Sequence, residues 1–162
     1  MTDTAPLALG DLARDIITSF EGVVLARTTF LHGCDRLYLA PRALTPDGKP
    51  IEPTSFDDKR LVPVERGVVA VEVPTPRLPM GAMARDTITG FEGRIVGIQR
   101  HMTGVVFYTL EPTSLKADGD LRDAQPFEEE RIAIIQEMAV PVSPNADAGK
   151  TGGPQRHDKL AR

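Results

Sequence analysis

Along the chain, short runs of apolar and β-branched residues alternate with clusters of Gly, Pro, Asp and Ser. That rhythm predicts strands broken by frequent chain reversals. Residues 12–17 form a first strand candidate, and Ser19 with Gly22 brackets a turn. The run VVLARTTFL after Gly22 suits a long, bent strand. The chain then turns at HGCD (32–35), makes a third strand over 37–41, and turns again at TPDG (45–48). FDDKR (56–60) reads as one tight helical turn before a last strand over 61–64.

The same plan is written twice. Residues 10–64 align without a gap with residues 81–135, at an offset of 71, and 17 of the 55 positions are identical. The clearest echo is ARDIITSFEG at 13–22 and ARDTITGFEG at 84–93. The register passes through turn residues as well as apolar ones, so composition alone does not account for it. Between the copies, ERGVVAVEVPTPRLPM (65–80) carries a strand-like run at 68–73 and then three prolines that hold the backbone extended. The expected division is an N-terminal arm (1–9), a first small β domain (10–65), a Pro-rich linker (66–80), a second domain (81–139) and a polar, flexible tail (140–162).

Charge and composition narrow the function. The net charge of −4 divides as −2 over 10–65, −4 over 81–139 and +2 over 140–162, which argues against a broad nucleic-acid or membrane surface. The single cysteine, Cys34, cannot form an internal disulfide. The first ten residues lack a basic stretch followed by an apolar core, and no window approaches a spanning length, so the sequence reads as soluble and made in the cytoplasm.

Several residues invite a chemical reading. Cys34 beside His32 suggests a thiol with a base, but the second copy has Val105 and Thr103 there, so a buried or half-buried structural cysteine is expected. Asp57 and Asp58, and Glu128, Glu129 and Glu130, are acids at the start of a helical turn, with Arg60 or Arg131 nearby, and they lack a ligand set for a cation. AGKTGG (148–153) ends like a phosphate loop but lacks the earlier glycine. Phe20, Phe56, Phe91 and Phe127 recur at fixed places and are expected to fill two cores. The pairs Arg14–Asp15 and Arg85–Asp86 are either partner-binding residues or local ion pairs, and Val68, Val71 and Val73 are candidates for adding a strand to a sheet edge. No catalytic, cofactor or metal constellation emerges, so no enzyme is expected.

GDLARDIITSFEGVV resembles the opening of SH3-like barrels of the KOW type. The run from TSFEGVV through LHGCDRLYLAP is similar to a family of small proteins encoded by tailed bacteriophages and prophages. The resemblance implies an all-β chain of two tandem SH3-like barrels in a virion, as a head decoration or cement protein bound to the major capsid protein. A homo-oligomer is left open. A KOW-type nucleic-acid module and a head-completion, tail or baseplate adaptor are the alternatives.

Overall fold

The computed structural model describes residues 5–137. Each half contains five strands and one 3-10 turn. The first half runs β1 (Leu12–Asp15), β2 (Glu21–Phe30), β3 (Arg36–Ala40), β4 (Thr54–Asp57), a 3-10 turn (Asp58–Arg60) and β5 (Leu61–Glu65). The second runs β6 (Met83–Asp86), β7 (Glu92–His101), β8 (Val106–Glu111), β9 (Gln125–Glu128), a 3-10 turn (Glu129–Arg131) and β10 (Ile132–Gln136). Apart from one extra residue at the start of β8, each element of the second half lies 71 positions after its mate. The described residues form no α-helix.

Every pairing is antiparallel. Within each half the order is β5-β1-β2-β3-β4, repeated as β10-β6-β7-β8-β9, and the sheet is left open between its first and last strands. The halves are not separate bodies on a connector, because β2 pairs with β7 and makes one ten-stranded sheet. The reason is a length mismatch. Strand β1 has four residues and covers only the start of the ten-residue β2, leaving an edge whose N–H and C=O groups need partners. Strand β7 has the same overhang beyond β6, and the two overhangs satisfy each other.

The join is pseudo-symmetric. Thr28 and Gln99 are equivalent residues, they face each other in the register, and Gln99 Nε2 donates to Thr28 Oγ1 at 3.1 Å. The N–H of Leu31 donates to Val96 and that of Met102 to Leu25, and these bonds, of 2.8 and 2.9 Å, are mates under the repeat. A two-fold axis through the Thr28–Gln99 pair thus relates the halves, as in an isologous dimer carried on one chain.

Two cores sit on this sheet. Val24, Leu37 and Leu39 lie at the centre of the first, and Ile95, Tyr108 and Leu110 at the centre of the second. Of the four phenylalanines expected to fill the cores, Phe56 is buried in the first, whereas Phe20, Phe91 and Phe127 are half-buried and pack at the margins. Phe20 is half-buried and packs on Phe56 at 5.4 Å between ring centroids, and Phe91 packs on Phe127 at the same distance.

The segments expected to be arm and linker belong partly to the repeats. Leu7 and Leu9 are buried in the first core, while their mates Leu78 and Met80 pack against the second. Residues 68–73 make no strand. The chain bends at Val68 and Val69 and then crosses the first repeat, with Val71 against the first core and the Val69 N–H donating to the Gly10 carbonyl at 3.1 Å. Asp11 holds this crossing together, accepting from the N–H groups of Ala8 and Gly67 and from Arg66. Burial opposes its ionisation, yet those donors outweigh burial and lower its pKa. The expected tail, 140–162, lies outside the described residues.

The repeated phrase assigns its glycines differently from the sequence reading. The tight turn after β1 does not use Gly22 or Gly93. The left-handed position is Ser19 (φ 62°), matched by Gly90 (φ 76°). A serine there is strained where a glycine is not. Ser19→Gly is therefore expected to stabilise the protein by about 0.5–1 kcal/mol, strain relief exceeding the extra entropy of the unfolded chain. A urea midpoint that falls instead would contradict this.

Candidate interaction surface

The turn after the first strand of each repeat is built around one buried carboxylate. Asp15 is fully buried, and its Oδ2 accepts from the Thr18 N–H at 2.9 Å and the Thr18 hydroxyl at 2.6 Å. Arg60 closes the other side with a two-pronged contact, Nε to Oδ1 at 3.0 Å and Nη2 to Oδ2 at 2.9 Å. Asp86 is fully buried too, held by Thr89 (N–H 2.9 Å, hydroxyl 2.5 Å) and by Arg131 (2.9 and 2.8 Å). Each guanidinium also lies over a ring, Arg60 over Phe56 at 5.4 Å and Arg131 over Phe127 at 5.3 Å. Burial disfavours the charged carboxylates, but the arginine hydrogen bonds, reinforced by the threonines, hold both well below the usual carboxylate range.

Main-chain bonds tighten the same turn. The Ser19 N–H donates to the Asp15 carbonyl and the Asp15 N–H to Phe20, at 2.9 and 2.8 Å, and Gly90, Asp86 and Phe91 repeat the pattern at the same distances. Ile16 and Thr87 donate to the carbonyls of Arg60 and Arg131. So braced, the turn projects apolar side chains into solvent. Ile17 is 70% exposed and its identical mate Ile88 is 73% exposed. The core gives no reason for an isoleucine at either place.

The structure separates the paired residues Arg14–Asp15 and Arg85–Asp86. Alternation along a strand sends neighbours to opposite faces, so Asp15 and Asp86 turn inward and are closed to any partner. Arg14 and Arg85 turn outward and sit opposite Glu21 and Glu92 in the β1–β2 and β6–β7 registers, forming exposed ion pairs. The Arg14–Glu21 separation is 3.7 Å. Val73 is exposed, Val68 is half-buried, and Val71 is held by the first core.

The remaining candidates take other places. Cys34 and His32 are exposed at the tip of the turn between β2 and β3, and the cysteine is not the buried structural residue expected. The turn projects beyond the sheet, and Val105, the mate of Cys34, is exposed as well. Asp57 pairs with Arg36 at 3.1 Å. Arg60 spends its hydrogen bonds on Asp15 rather than on Asp57 or Asp58. Glu129 accepts from the Arg77 N–H at 2.9 Å, from Arg77 Nε at 2.6 Å and from the Tyr108 hydroxyl at 2.5 Å, and Glu130 also accepts from Arg77. Burial and the Glu129 carboxylate push the Tyr108 phenol up to about 12. In the first repeat Pro6 and Leu37 stand at the places of Arg77 and Tyr108, and neither supplies a donor, so Asp58 keeps one buried oxygen, Oδ1, without a partner among the described residues. Glu128 ends β9 exposed. AGKTGG (148–153) lies outside the described residues.

Sequence reasoning passed over Thr18 and Thr89 as structural donors and Ile17 and Ile88 as exposed groups. The signal was present, because all four are among the identities between the copies. No protein-family model, no curated protein and no solved structure matches the chain.

Proposed function

We propose that this chain is a non-catalytic structural protein of a tailed-phage particle, a decoration protein that holds two SH3-like barrels side by side on the head shell. The observation that carries the reading is the identical isoleucine, Ile17 and Ile88, at the tip of the same braced turn in both repeats, more than two thirds exposed each time. Two equal apolar knobs related by a pseudo-two-fold axis suit a partner that offers the same pocket twice. Two weak contacts on one rigid sheet then gain from effective concentration. The barrel reading is supported by the long strand that serves two pairings along one edge and by the single 3-10 turn before the last strand of each half. The acidic balance of both repeats speaks against a nucleic-acid module.

Burying one isoleucine is worth about 1.5–3 kcal/mol, or roughly ten- to hundred-fold in affinity. Each single variant, Ile17→Ser or Ile88→Ser, is therefore expected to lower occupancy on purified particles, and the double variant to abolish it, with the fold intact by circular dichroism. Mass spectrometry of the particles measures the copy number. Many copies per particle support a shell protein, whereas a handful would favour a head-completion or tail adaptor. Absence from particles, or undiminished attachment of the double variant, would defeat the proposal.

A further inference from the structure

A cavity of about 280 Å³ opens beside the seam between the repeats, lined by Pro6, Leu7, Leu9 and Val73 together with Arg27 and Arg100. The two arginines are directly opposed in the β2–β7 register. Like charges so placed repel each other unless anions intervene. Arg27 is already answered, since Nη1 donates to Asp35 Oδ2 and Nη2 to the Leu7 carbonyl, both at 2.6 Å. The Arg100 side chain is half-buried and its guanidinium has no hydrogen bond or ion pair among the described residues. A partly desolvated guanidinium beside a second one, in apolar surroundings, lacks the anion that would offset its cost.

The pseudo-two-fold axis supplies an internal control. The mates of Arg27 and Asp35 are Ile98, which packs against the second core, and Val106, which is buried in it, and the mate of Arg100 is Thr29. The fold is thus completed on one side of the axis without these charges. On the other side an ion pair replaces these apolar residues, and an additional arginine faces it from the neighbouring strand. Packing does not require Arg100.

We infer that this cavity binds a monocarboxylate carried on a short aliphatic body. The carboxylate fits because one guanidinium is uncompensated and its planar fork matches two carboxylate oxygens. The aliphatic body fits because Leu7, Leu9 and Val73, with Pro6 and Ala8, form the rest of the wall. The volume lies just below the range of about 300–1,000 Å³ usual for drug-sized ligands, which points to a small molecule or one terminal residue. A dianion such as phosphate is disfavoured, since among the described residues Arg100 is the one uncompensated cation lining the cavity, and beside apolar walls it does not replace a dianion's hydration. This inference stands apart from the role assigned to the two isoleucines.

The test is a nitrogen-15 NMR titration of the full chain with N-acetyl-leucine, with N-acetyl-leucinamide as the same body without charge, and with inorganic phosphate. Saturable shifts are expected at Leu7, Leu9, Val73 and the Arg100 Nε with the acid, and not with the amide or phosphate. Arg100→Gln is expected to weaken the acid by about tenfold, the loss of one charge-assisted contact, while distant resonances stay in place. No saturable shift with the acid, equal response to acid and amide, equal or tighter phosphate binding, or unchanged affinity in a folded Arg100→Gln variant would each overturn the inference. The comparison of acid with amide needs only the wild-type chain, so it decides the matter even if the variant fails to fold.

Discussion

Gly22→Ala is expected to destabilise the protein by about 2–3 kcal/mol, lowering its melting temperature by roughly 5–10 °C, and Gly93→Ala to do the same. Both residues lie in strands and have ordinary backbone angles, so the effect does not come from turn geometry. It comes from distance. A Cβ on Gly22 would stand 2.8 Å from the Ala40 carbonyl carbon and oxygen, and one on Gly93 would stand 2.7 Å from the same atoms of Glu111. The obstacle is main chain, which a side-chain rotation does not remove. Strands β2 and β3 would have to separate at the place where Val23 pairs with Ala40, next to the register shift between Val24 and Ala26. A change at Gly33, where nothing lies within 4 Å, is the natural comparison, although its φ of 108° adds strain to any side chain. Thermal melts of the glycine variants decide the point. A melting temperature within about 2 °C of wild type for Gly22→Ala would mean that β3 yields freely and that the close approach is not a constraint.

The second large effect is acid sensitivity governed by Asp15 and Asp86. Each has a pKa in the folded chain below its unfolded value of about 4, because an arginine fork and a threonine hold the ionised form. The unfolded chain therefore binds the proton more readily than the folded one. The stabilisation is fully present above the unfolded pKa and is lost as the pH falls through the lowered folded pKa. Stability is expected to be flat from neutral pH to about 5 and to drop steeply below about 4. In the double variant Asp15→Asn/Asp86→Asn the acid limb becomes shallower, and stability at neutral pH is already reduced, since Arg60 and Arg131 lose their anions. Arg14→Gln, which removes only an exposed pair on the other face of β1, leaves both features unchanged. Urea unfolding measured from pH 3 to pH 7 provides the check. An acid limb equally steep in wild type and double variant would assign the pH dependence to other carboxylates.

Much of the fold was legible in the sequence because the chain carries its own comparison. The offset of 71 placed each strand of the second half on its mate, and the turn chemistry around TPDG and FDDKR marked the chain reversals and the 3-10 turn. Where the reading went astray, a local signal had two physical meanings. Glycine marks a turn or a close approach, and Gly22 is the second kind, while the turn position fell to Ser19. A valine run marks a strand or a covering segment, and residues 68–73 are the second kind, since their place over the first core is set by Asp11 and Gly10 from far away in the chain. Free cysteines are usually buried, but Cys34 sits exposed in the turn between β2 and β3.

The candidate surface shows the same division. The identities Asp15/Asp86, Thr18/Thr89 and Arg60/Arg131 were visible as repeated letters, yet their meeting spans 45 residues in each half and is a matter of strand pairing. Repetition by itself determined that one all-β plan is written twice and that Ile17 and Ile88 occupy the same place in both, but not β4 and β9, whose last two residues had the look of the helical turn that follows them. Only the tertiary structure decided that Asp15 and Asp86 face inward while those isoleucines face solvent, and that the overhangs of β2 and β7 close on each other through Thr28 and Gln99. Local sequence sets propensity and alternation, whereas the choice of which free edge satisfies which depends on strand lengths and on groups brought together across the whole chain.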